Sequence, residues 1–188
     1  MFNLDHHLKS YLREQIALEE QLCREIEEQI AEINEKDFAD AKDLLIQTRQ
    51  ALECHFKPLN ETLDRLERAA LNAQTKIASE NGNGLIPALE REQQIKSIAR
   101  ILRDDYSALN HITMSNTLLY TTALALNCQE VAEIALKHLE NLAPLVVKLG
   151  AIAPEVVARE LRTKSPQIDL TVAQKALINA RLVWRKAG

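Results

Sequence analysis

Apolar side chains recur along this chain at steps of three and four residues, the spacing that keeps them on one face of an α-helix. The longest such row reads Ala41, Leu45, Thr48, Leu52, His55, Leu59, Leu63, Leu66, Ala70, Ala73, Ile77 and predicts a helix over residues 41–77. Pro58 cannot donate to the Cys54 carbonyl one turn before it, so a kink is expected there, with the helix resuming on the same row. A helix over residues 4–33 is predicted before it, on the row Leu8, Leu12, Gln15 or Ile16, Glu19, Leu22, Ile26, Ile30, Ile33. Its other glutamates fall mostly on the outer arc and read as solvated surface. The polar turn at 34–37 is short enough to make the two helices antiparallel.

The stretch SENGNGLIP at 79–87 is the clearest loop and suits a crossover between two helix pairs. Its glycines lack the preceding strand and the following Gly-Lys that a phosphate loop needs. A third helix is predicted over 88–126, on Ile95, Ile98, Leu102, Asp105, Leu109, Ile112, Asn116, Leu119, Ala123, Leu126, with Asn127 at its end. A fourth is predicted over 129–149, on Val131, Ala135, His138, Leu142, Leu145, Leu149, with Pro144 as a second kink and Gly150 as its stop. In the tail, Pro154 is read as the first residue of a short helix. Pro166 breaks the chain, and Thr171 caps a last helix with Val172, Ala176, Ala180 and Val183 on one face and Trp184 near its end. The expected fold is all-α: an antiparallel four-helix bundle over 1–150 with a helical C-terminal extension, 151–188, packed on it.

Composition fits. Of the 188 residues 46% are hydrophobic and only 4% aromatic, with four glycines, and the common residues are good helix formers. A net charge of −4 argues against a nucleic-acid partner, which wants a basic face. No apolar run reaches the length of a membrane span, and the first ten residues hold no signal-type apolar core, so no membrane partner is expected. Three cysteines, Cys23, Cys54 and Cys128, without paired spacing point to a reducing, cytoplasmic setting. Cys54 and His55 diverge by about 100° on a helix, which argues against a thiol–imidazole pair.

Each of the four long rows carries one ligand-type residue: Glu19, His55, Asp105 and His138. Packing four such faces together buries all four, and a buried carboxylate or imidazole must be paired, shifted in protonation or bound to metal. Counted from the 34–37 turn, Glu19 and His55 sit within roughly one helical turn of the same depth. Counted from Asn127, Asp105 and His138 differ in depth by roughly 16 Å, which makes His138 the poorer fit. Two readings stay open. In one, these residues bind a divalent transition metal, the donor set suiting iron, manganese or zinc. In the other, Glu19 and His55 pair with one another or with freed backbone carbonyls, Asp105 pairs with an arginine such as Arg103 or bonds the helix backbone, and no metal is involved.

One carboxylate or histidine per bundle helix resembles the ferritin-like superfamily, and most nearly the YciE/YciF-type bacterial stress-protein family. ALEEQL at 17–22 resembles that family's first-helix segment around its metal glutamate. LECHFKPLNETLDRLE at 52–67 resembles its second-helix segment, with a histidine before a Glu-Thr and Arg-Leu run. RDDY at 103–106 sits where the family has an acidic residue shortly before a tyrosine. The resemblance covers residues 4–149 and implies a ferritin-like bundle, core metal and a stress-related role. Full di-iron sites take Glu from two helices and Glu-x-x-His from the other two. Here Leu52 and Ala135 stand three residues before His55 and His138, so the di-iron set is incomplete. The expectation is a homodimer binding a single divalent metal at Glu19, His55, Asp105 and His138. The alternative is a non-enzymatic structural, adaptor or oligomerisation bundle, and no catalytic motif is present.

Overall fold

The computed structural model describes residues 4–33, 36–73 and 97–187. Among these there is no strand. The elements are α1 (Leu4–Glu32), a single 3-10 turn (Lys36–Phe38), α2 (Ala39–Ala73), α3 (Ile98–Ala125), α4 (Gln129–Lys164) and α5 (Thr171–Ala187). The expected loop at 79–87, residues 88–96 of the expected third helix and the end of the second beyond Ala73 lie outside the described residues.

The four long helices pack around a common core, α1 beside α2 and α3, and α4 beside α2 and α3. Neighbours run antiparallel. Arg13 pairs with Glu67 across α1 and α2, Arg49 approaching Glu27 further along. Gln29 reaches Asp105 and Asn116 reaches Glu19 across α1 and α3. Arg65 pairs with Glu130, and Lys148 with Gln47, across α2 and α4. α3 therefore begins at the end of the core opposite to where α2 stops.

α2 continues through Pro58 without a break, because Leu52, His55 and Leu59 on either side of it are all buried. α3 ends in a closed cap. Asn127 adopts φ 53°, its N–H donates to Leu124, and the Cys128 N–H reaches back to the Ala123 carbonyl. These are the two reversed bonds of a Schellman turn, and asparagine is one of the few residues that tolerate its left-handed corner.

α4 corrects two expectations. Gly150 does not end it, and Pro154 does not begin a new helix; both lie inside one helix that runs to Lys164. The carbonyl that Pro154 leaves unbonded is that of Gly150, so the two irregular residues share a single weak turn. That turn is held from both sides. The Tyr106 ring packs where a Gly150 side chain would stand, 3.3 Å from the position of its Cβ. Beyond it, Val156 is buried in the core, Glu160 accepts from the Ser97 hydroxyl and the Ala99 N–H, and Arg159 grips Asp40 through two nitrogens at 2.7–2.8 Å. α4 also corrects the reading that no segment is long enough to cross a membrane: by length and apolar composition alone, it is. Its inner row, Val131 through Val156, faces the other three long helices.

The core falls into two apolar clusters. One holds Leu22, Ile26, Leu45, Leu52, Leu109, Leu142 and their neighbours. The other holds Leu8, Leu12, Leu59, Leu119, Val131 and Ala135. On each of the four long helices the buried inner-row residue between the two clusters is polar: Glu19, His55, Asn116 and His138.

The Asn127 corner is testable. Asn127→Ala, which forces a β-carbon residue without a polar side chain into the left-handed region, is expected to cost about 1 kcal/mol in urea unfolding. Asn127→Gly should match or slightly exceed the native chain.

Candidate metal centre

The layer between the two clusters is built from one face of each long helix. Gln15 and Glu19, one turn apart on α1, both point inward and are fully buried. α2 contributes His55, α3 contributes Asn116 and α4 contributes His138. Glu19 is 0% exposed and each histidine 2%.

Glu19 is the hub. Its Oε1 accepts from Gln15 Nε2 at 2.6 Å and from Asn116 Nδ2 at 3.4 Å, and its Oε2 lies 3.0 Å from His55 Nδ1. His138 Nδ1 stands 3.5 Å from Oε1. The two imidazoles stack with centroids 3.5 Å apart and planes 8° from parallel. On its far side, His55 Nε2 meets the Asn141 Nδ2 amide at 3.2 Å. An amide nitrogen can only donate, so Nε2 accepts and the His55 ring proton sits on Nδ1, donated to Glu19. Asn141 itself is exposed, so the imidazole of His55 spans from the buried carboxylate to a surface amide.

Burial pushes the Glu19 carboxyl up, but His138 and His55 beside it more than offset this and hold it at about 2. Burial pulls His138 below its ordinary 6.5, with Glu19 only partly opposing. The favoured state is an ionised Glu19 against a neutral His138, with amide donors from Gln15 and Asn116 around the carboxylate.

The donor atoms of Glu19, His55 and His138 all lie within 4.8 Å of one another, and the three could hold a metal ion. Gln15 Oε1, Asn116 Oδ1 and His138 Nδ1 are buried and make no hydrogen bond. The first two are pure acceptors, the third is an acceptor in one tautomer, and all three belong to residues around Glu19.

Three of the four expected ligands, Glu19, His55 and His138, are therefore brought together. Asp105 is not among them. It is buried, but in a different layer, where it accepts from Gln29 Nε2 at 3.0 Å. Its expected partner Arg103 turns outward to Asp104 instead. Depth along the helices is the reason. Asn116 and His138 stand eleven residues either side of Asn127 and so face one another, whereas Asp105 is three turns away. The mismatch between Asp105 and His138 is real, and Asp105 is the outlier. Sequence reasoning missed Gln15, Asn116 and Asn141. Asn116 was on the inner row in plain view, and equal distance from the Asn127 turn was the signal that would have found it. Cys23 is buried, Cys54 exposed and Cys128 half-buried, each as a free thiol.

Comparison with protein-family models, with curated proteins and with solved structures finds no match to this chain.

Two outcomes follow. Glu19 is shifted down, so the stability it confers is complete above its ordinary 4.5 and is lost as pH falls from there through about 2. His138 is also shifted down, so its contribution is complete above 6.5 and begins to fall below it. Urea unfolding across pH should show stability declining from about pH 6.5 and steepening below 4.5. Stability that is flat from pH 7 to 4 would contradict this assignment. Second, Glu19→Leu strands the donors of Gln15, His55 and Asn116 and should cost about 3 kcal/mol. Adding Gln15→Leu, His55→Leu and Asn116→Leu removes those donors and should recover most of the loss.

Proposed function

We propose that this chain is a ferritin-like four-helix bundle that holds one divalent metal ion at Glu19, His55 and His138. The observation that carries the reading is the buried convergence of one carboxylate and two imidazoles from three different helices. Two nitrogens and a carboxylate suit iron, manganese or zinc. The antiparallel neighbours of the long helices, and the placing of α3's start at the far end from α2's stop, are the connectivity a ferritin-like bundle requires. The segments at 17–22 and 52–67 support the stress-protein type within that superfamily.

The metal reading is for one ion and not two. Leu52 and Ala135 occupy the positions one turn before the two histidines, and both are fully buried apolar residues. His55 would meet the ion through Nδ1 only with its proton moved to Nε2, facing Asn141. Bound there, a metal would supply a Lewis acid in a layer closed on both sides by leucine and isoleucine. Gln15 and Asn116 would orient the carboxylate.

One observation favours a second reading, a structural bundle without metal. Glu19 already accepts hydrogen bonds from Gln15, His55 and Asn116, enough to satisfy the carboxylate unaided.

Metal content separates the two. The purified chain reconstituted in turn with iron(II), manganese(II) and zinc(II) is expected to retain about one equivalent of at least one of them by elemental analysis. Glu19→Ala should abolish retention, and His138→Ala should weaken it at least about tenfold. Affinity should drop only as pH falls well below 6.5, since the His138 imidazole must be unprotonated to bind and burial holds it below that ordinary value. Less than about a tenth of an equivalent with every metal would leave the structural reading standing alone.

A further inference from the structure

α5 is the one helix whose apolar face the rest of the described chain leaves open. Its main contacts are with α4. Ala173 is buried there and Leu177 half-buried. The other apolar residues are not covered: Val172 is 49% exposed, Val183 67% and Trp184 77%. On a helical projection the apolar residues from Val172 to Trp184 fall within an arc of about 140°, except Ile178 and Leu182, which are half exposed among the cations opposite. The polar arc opposite carries Lys175, Arg181, Arg185 and Lys186, and α5 contains no acidic residue.

That charge separates α5 from the rest of the protein. The whole chain carries a net −4, and the four cations of α5 leave −8 for the remainder. A tryptophan-bearing apolar face, an opposite arc whose charges are all basic although Ile178 and Leu182 interrupt it, and an attachment near one end only are the marks of a helix that lies in a lipid interface. Pairing of two α5 helices would set four positive charges against four, with no carboxylate in either helix to relieve them.

We propose that α5 is a peripheral anchor that lies on an anionic lipid surface, with the exposed side chains of the apolar arc, Val172, Val183 and Trp184, turned to the acyl chains and the four cations at headgroup level. Adsorption of this kind needs an amphipathic face and not a spanning length. The proposal is independent of the metal centre, which lies in the core of the other four helices.

Trp184 is the only tryptophan in the chain, so tryptophan emission of the full-length protein reports on α5 alone. The full chain is titrated with phosphatidylcholine vesicles and with vesicles in which about a third of the lipid is phosphatidylglycerol. A blue shift is expected with the anionic vesicles, at an apparent affinity roughly tenfold or more above that for neutral ones. It should weaken steeply with added salt, because the attraction is screened. The variant R181E/R185E/K186E should lose the shift while circular dichroism shows the native helix content. The salt series on the unaltered chain carries the test if that variant fails to fold. No shift with either vesicle, or an equal shift with both, overturns the proposal. So does a shift that grows with protein concentration in the absence of lipid, which would make a second copy the occupant of this face.

Discussion

An ionised carboxylate at the centre of a hydrocarbon core is the constraint on which this structure turns. Left alone there, Glu19 would cost far more than a small domain's net stability. It is tolerated because each of the four long helices delivers a polar partner to the same depth: Gln15 from its own helix, His55, Asn116 and His138 from the other three. The partners are useful only in register. Sliding any one helix by a turn would draw its polar group into one of the leucine clusters and leave Glu19 short of a donor. A core of leucine alone would accept several such slips at similar energy; this one does not.

The same constraint accounts for where sequence reasoning succeeded. Periodicity identifies which residues face inward, and it put Glu19, His55 and His138 on inner faces along with their apolar neighbours. Burial of ligand-type residues then follows. Periodicity says nothing directly about depth. Depth has to be counted from a turn, and the count is only as good as the turn. The Asn127 corner was legible, and counting from it correctly set Asp105 and His138 apart. It took His138 for the poorer fit, and the structure reverses that choice, because the depth shared with Glu19 depends on the contact between α1 and α3, two helices separated by a long connection. Asn116 completes that layer, and an amide does not announce itself as a ligand.

The length of α4 was illegible for a different reason. Glycine and proline four residues apart are sound local signals for a helix end. They were overridden by contacts distant in sequence: the Tyr106 ring against Gly150, the Asp40 carboxylate on Arg159, the Ser97 hydroxyl on Glu160. Local propensity lost to packing that only the assembled fold supplies.

The prolines within these helices have a consequence of their own. Pro58 follows His55 by one turn on α2, and Pro144 and Pro154 lie on α4 beyond His138, whereas α1 and α3 contain none. Each proline removes one rung from its helix's hydrogen-bond ladder. The two helices that carry the stacked imidazoles are thus the mechanically compliant pair, and they are neighbours. The two that carry the carboxylate and its amide support have unbroken ladders. The site thus joins an anionic wall, carried on helices with unbroken ladders, to two stacked rings carried on helices that each lack hydrogen-bond rungs.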